Sequence, residues 1–126
     1  MNFIVRAMVG AAAMAGVLIA GPGGSFAAGA FAVGACGAFG YSYDFLSMDD
    51  ARARARSNCK GKRCLLVATM RKRCAALAID ATKPCGPYGW AVAARLGRAQ
   101  NTALRQCYRH GGKTCVIRGW VCDAKG

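Results

Sequence analysis

The chain has no glutamate, five aspartates and a single histidine in 126 residues. Acid–base hydrolysis of the glycosidase type needs two carboxyl groups placed across a bond, and the sequence marks no such pair. Asp49 and Asp50 are neighbours and read as first-turn charges of a helix, while Asp44 and Asp80 have no match in the second half of the chain. A cysteine nucleophile would need a free thiol beside His110. Cys107 lies three residues before it, yet His110-Gly111-Gly112 reads more simply as a helix end, where a partly charged imidazole suits the dipole. No two cysteines have only two residues between them, so the usual thiol oxidoreductase signature is missing. Structural zinc sites favour cysteine pairs two to four residues apart. Only Cys59 and Cys64 come near that spacing, so no metal or other cofactor is expected.

Long hydrophobic runs are also missing. Residues 7–20 are apolar or small throughout, but fourteen residues fall short of the roughly 20 that a bilayer requires. They follow a short positive segment, residues 1–6, and are broken by Gly21-Pro22-Gly23-Gly24. Ser25-Phe26-Ala27 then offers small residues where a signal peptidase reads. Residues 1–27 are therefore expected to be a secretory signal peptide, removed after Ala27 or Ala28. Export would leave about 99 residues and no integral membrane segment.

All eight cysteines lie in that exported part. An even count in a short exported chain reads as a disulfide framework compensating for a small core. Charge is lopsided as well. Eighteen lysines and arginines against five aspartates give +13, and losing Arg6 with the signal leaves +12. Such a balance favours anionic partners and salt-sensitive association, though it equally serves solubility.

Residues 28–35 are small and read as a flexible lead-in. Phe39, Tyr41, Tyr43 and Phe45 then alternate with small or polar residues, which predicts a strand with one aromatic face. Ser47 with Asp49 and Asp50 predicts a helix start. Met48, Ala51, Ala55 and Cys59 give that helix a narrow buried stripe of small residues. Gly61 suits a helix C-cap. Leu65-Leu66-Val67-Ala68-Thr69-Met70 is a strand-length apolar run, and residues 74–79 form a second apolar piece, strand or short helix. Residues 80–84 read as a linker.

The chain then repeats itself. Cys85-Gly86-Pro87-Tyr88-Gly89-Trp90 matches Cys36-Gly37-Ala38-Phe39-Gly40-Tyr41 at an offset of 49. Leu96, Ala99, Ala103 and Cys107 repeat the helical stripe at an offset of 48. Cys115-Val116-Ile117 matches Cys64-Leu65-Leu66, and Trp120-Val121-Cys122 closes the copy. Two strand–helix–strand repeats, 36–80 and 85–122, are expected within one disulfide-bonded domain, 36–126. The fold class is α+β: one mainly antiparallel sheet with both helices on one face.

These residues resemble the exported bacterial family catalogued as domain of unknown function 4189. The aromatic–glycine stretch Tyr88-Gly89-Trp90 and the segment Cys74-Ala75-Ala76-Leu77-Ala78 carry the likeness most clearly. It extends over residues 37–122, and Cys36 and Cys85 are additional to the family's usual six cysteines. The resemblance implies export and a disulfide-bonded repeat. It implies no particular activity, so no catalytic residue is carried over.

Spacing predicts two local bridges, Cys59–Cys64 and Cys107–Cys115, each pinning a helix end to the next strand. For the other four cysteines two pairings stand. Cys36–Cys85 with Cys74–Cys122 would join matched positions across a pseudo-two-fold axis and is preferred. Cys36–Cys74 with Cys85–Cys122 would keep one bridge per copy.

The remaining candidate site is basic: Arg52 and Arg56, Lys60, Lys62 and Arg63, and Arg71, Lys72 and Arg73. Interleaved Tyr and Trp side chains can stack on bases, but their period of two makes them sheet-face residues, and export excludes cytosolic nucleic acid. The expected function is a non-enzymatic, exported binding or interaction module. Its expected partners are anionic lipid, an envelope polyanion or an acidic protein, in the periplasm or outside the cell. The alternatives are a small envelope hydrolase with an unmarked site, or a purely structural or stress-protective envelope protein.

Overall fold

A computed structural model describes residues 28–123; the signal-peptide reading of residues 1–27 lies outside the described residues. Among the described residues six strands and two α-helices follow in order: β1 (Ala28–Val33), β2 (Phe39–Phe45), α1 (Met48–Asn58), β3 (Leu65–Met70), β4 (Cys74–Asp80), β5 (Lys83–Ala93), α2 (Leu96–Arg109) and β6 (Cys115–Cys122), with a short 3-10 turn at Ala35–Gly37. Among the described residues no helix is long and apolar enough to cross a membrane.

The α+β class, the antiparallel pairing and four disulfides are as expected. The single sheet is not. There are two three-stranded antiparallel sheets, ordered β2-β1-β3 and β5-β4-β6. They face each other across a core that joins Phe31, Val33 and Met70 to Ala75, Leu77, Ile79 and Val121. Each outer face carries its own helix. Ala51, Ala55 and Cys59 of the first helical segment pack on Ala28, Ala30 and Ala32. Ala99, Ala103 and Cys107 pack on Cys74, Ala76 and Ala78. The layers therefore run helix, sheet, sheet, helix, instead of both helices on one face.

The cause lies in the stretch read as a flexible lead-in. Residues 28–33 are instead β1, the fully buried central strand of the first sheet. Its alternation is small against large: Ala30 and Ala32 face the helix, while Phe31 and Val33 face the other sheet. β4 repeats it, with Ala76 and Ala78 toward α2 and Leu77 and Ile79 inward. A strand buried on both faces has no polar side to betray it, and an alanine face admits a close helix. Residues 74–79 are thus a strand, and they open the second copy instead of closing the first. The repeat is strand–strand–helix–strand, 28–70 and 74–122. Residues 80–84, read as a linker, make the β4–β5 hairpin.

Glycine at two matched positions sets the helices' height. A Cβ on Gly40 would lie 2.3 Å from the carbonyl oxygen of Ala55, and one on Gly89 would lie 2.4 Å from that of Ala103. The aromatic–glycine–aromatic pattern is thereby explained: aromatics face one way and the helix backbone rests on the glycine. α1 begins as expected, with the Ser47 hydroxyl accepting from Asp50 N–H at 3.2 Å. α2 starts at Arg95 with no side-chain cap. Gly61 is not a left-handed C-cap; Arg63 takes the positive φ of 55°, and Gly61 instead gives way to Ala38, whose Cβ would be 2.4 Å from its own.

All eight cysteines are bridged, as Cys59–Cys64, Cys107–Cys115, Cys36–Cys85 and Cys74–Cys122. Cys36–Cys85 joins the copies. Cys74–Cys122 does not, because Cys74 and Cys122 are directly opposed on β4 and β6 of the second copy. The corresponding places in the first copy are Ala28 and Arg71, so the two cysteines are not matched to each other.

Candidate binding end

The central strands β1 and β4 point the same way. Their C-terminal ends meet at the Cys36–Cys85 bridge, where a Cβ on Gly37 would touch Ile79. Their N-terminal ends meet where Asp123, just past β6, lies against Gly29. The two helix-to-strand turns and both hairpin turns therefore share the Cys36–Cys85 end.

The acids are segregated along this axis, while cations lie at both ends, with Arg71, Lys72, Arg73, Arg95 and Arg98 at the end away from Cys36–Cys85. The Cys36–Cys85 end holds Arg56, Lys60, Lys62, Arg63, Lys83, Arg109 and Lys113, all exposed. Lys60 and Lys62, with Arg118 reaching over from β6, surround a surface niche beside Cys36. The acid at this end is Asp80, and its carboxylate is fully engaged. Oδ2 accepts from Lys113 N–H at 3.0 Å, while Oδ1 accepts the Thr82 hydroxyl at 2.8 Å and the Thr82 N–H at 2.9 Å. The Lys113 amide first, then Thr82, holds Asp80 well below the ordinary carboxylate range. Asp44, Asp49, Asp50 and Asp123 are all at the opposite end.

The eight basic residues singled out in sequence are thus not one patch. Lys60, Lys62 and Arg63 gather with Arg56 at the Cys59–Cys64 turn. Arg71, Lys72 and Arg73 lie at the far end of β3, about 20 Å away for a six-residue strand. Arg52 is paired with Asp49 at 2.9 Å. Asp123, which sequence reasoning passed over, organises the far turn. Its buried carboxylate accepts from Lys72 N–H at 2.6 Å and Arg73 N–H at 3.0 Å. Its place directly after a final Cys was the available signal. Lys83, Arg109, Lys113 and Arg118 were also missed, because only the fold brings them to the first copy's cations.

His110 caps α2, with Nδ1–H donating to the Tyr88 carbonyl at 2.8 Å. Cys107, its suspected thiol partner, is bonded to Cys115.

The sheet edges differ. Where β2 faces β6, Phe39 lies on Gly119, and a Cβ there would be 2.2 Å from the ring. Arg118 stacks 5.4 Å above that ring and its Nε–H donates to Gly37 O at 3.1 Å. Beyond this closure Phe39, Tyr41 and Tyr43 form a ladder of near-parallel rings beside an exposed Trp120. Where β3 faces β5, a slot of about 380 Å³ runs inward beside the Cys36–Cys85 bridge.

The family described as Domain of unknown function (DUF4189) matches residues 28–122. The chain belongs to this family. Every element described above falls within the matched DUF4189 span, β1 included, so the family unit begins with the strand that the sequence hides. The NMR structure of Rv1813c from Mycobacterium tuberculosis is similar, with a TM-score of 0.53 at 23% identity, over 94% of this chain and 98% of that one. At that identity the likeness shows a shared fold for this DUF4189 chain and nothing further. No curated protein matches it.

Proposed function

We propose that this DUF4189 chain is an exported, non-enzymatic binding module whose Cys36–Cys85 end receives anionic components of the cell envelope. The observation that supports it is the segregation of the acids, which leaves the greater excess of positive charge at the Cys36–Cys85 end. Seven cations share one end with a single carboxylate whose oxygens are already occupied, and the other acids lie at the opposite end. Such a field orients the molecule toward a negative surface and weakens as salt rises. The bridges that tie the turns at this end are of the kind an oxidising compartment maintains.

The test is co-sedimentation of the oxidised protein with vesicles, neutral or containing anionic lipid. Binding to anionic vesicles alone, released by salt, is the expected result. Neutralising Lys60, Lys62 and Arg63 together to glutamine should weaken it by about a hundredfold, at about 1 kcal/mol per cation near an anionic surface. The same change at Arg71, Lys72 and Arg73 should matter far less. Equal losses from both triples, or no binding at all, would overturn the reading.

A further inference from the structure

The two sheet edges are related by the pseudo-two-fold of the repeat, yet they differ: the β2–β6 edge carries an open groove of about 730 Å³ lined by Phe39, Tyr41, Tyr43 and Trp120, and the β3–β5 edge a narrower slot that reaches the core. At the β2–β6 edge Phe39 turns inward onto Gly119 and Arg118 covers it. The matched residues at the β3–β5 edge are Tyr88, Ala68 and Val67. Tyr88 is turned outward and 48% exposed, and Val67 has no guanidinium to close the gap. The slot that results is floored by the core residues Leu77 and Ile79 and walled by Leu65 and Val67. Leu65, at its mouth, is 68% exposed.

The polar part of the slot is as specific as the apolar part. Arg63 lines it, and no acidic side chain does. Lys83 lies over Gly86, another lining residue, with its Cβ 3.2 Å from where a glycine Cβ would sit. Lys60 and Lys62 border the neighbouring niche. Apolar depth with a cationic mouth fits a ligand with an apolar tail and an anionic head. At about 380 Å³ the slot is near the small end of ligand pockets, room for one chain and not two.

We propose that this slot binds a single-chain fatty carboxylate, its tail between β3 and β5 and its carboxylate at Arg63 and Lys83. The inference rests on the preceding reading in taking this end's cations as the partners of an anion. It adds a defined apolar site that surface attraction does not need.

The oxidised protein is titrated calorimetrically with saturated carboxylates of increasing length, below their micelle concentrations, and with the methyl ester of the longest. Affinity should rise about fourfold per methylene and then level off once the slot is full. The ester should bind about threefold or more weakly. Arg63→Gln should remove that preference for the acid, Leu65→Asp should weaken both ligands, and Arg71→Gln should change neither. Both mouth residues are exposed, so folding is not at stake, and a melting curve checks it. Affinity without a length dependence and plateau, or an ester bound as tightly as its acid, would overturn the slot. The vesicle assay separates the two proposals. Salt-sensitive vesicle binding with no carboxylate binding sinks only the slot. A length-dependent plateau without vesicle binding sinks only the surface reading.

Discussion

Replacing Gly89 with alanine tests the layer arrangement directly. The new methyl would sit 2.4 Å from Ala103 O and 2.6 Å from Cys107 N. Both are backbone atoms of α2, so no side chain can swing aside. The helix must lift by about 1 Å to restore ordinary contact, and Cys107–Cys115 ties its end to β6. Overpacking of this kind costs about 1–3 kcal/mol, and a backbone clash belongs at the upper end. Reduced freedom of the unfolded chain returns about 0.4–1 kcal/mol. The net expectation is a loss of about 2 kcal/mol, or a fall in Tm of roughly 8–16 °C for a domain this small. The control is the same substitution at Gly97, in α2, where a Cβ would meet nothing within 4 Å. There alanine should stabilise by about 0.5 kcal/mol through helix propensity. Urea unfolding of the oxidised proteins measures both. A Gly89→Ala protein as stable as the parent would mean that α2 does not rest on β5.

Two further outcomes follow from the buried carboxylates. Asp123→Ala would leave the Lys72 and Arg73 amides without their acceptor, and should cost about 2–3 kcal/mol in urea unfolding after allowing for partial rehydration of that turn; a cost below about 0.5 kcal/mol would contradict the role given to Asp123. Asp80 has a depressed folded pKa, so its charged form adds stability above the unfolded value of about 4 and that contribution fades as pH falls below it. Asp80→Asn should therefore lie well below the parent in stability at neutral pH and approach it at acid pH, and a difference unaffected by pH would refute this linkage.

Much of the local structure was legible because it depends on local chemistry. Ser47 with its following aspartates marks α1, and alternating aromatics mark β2. The bridges Cys59–Cys64 and Cys107–Cys115 follow from turn spacing. β1 was not legible, since alanines and glycines beside an expected secretory signal read as slack chain when nothing shows what lies on either side. Missing β1 shifted the frame of the repeat by one strand. That shift placed Cys74 in the wrong copy, and the Cys74–Cys122 bridge was favoured on a symmetry it does not have. The candidate site was half legible. Runs such as Lys60-Gly61-Lys62-Arg63 announce charge, but which runs share an end depends on strand direction, and strand direction depends on β1.

The meeting of Gly29 with Asp123 has a practical side. The first and last strands begin and end at the same pole, and it is the pole away from Cys36–Cys85. A tether joined directly before Ala28 or after Cys122 leaves from there, so a bead, a dye or a fused domain placed at either point presents the Cys36–Cys85 end outward. Surface immobilisation through one of these two points and then the other should expose the same face, and it offers the binding experiments two equivalent handles.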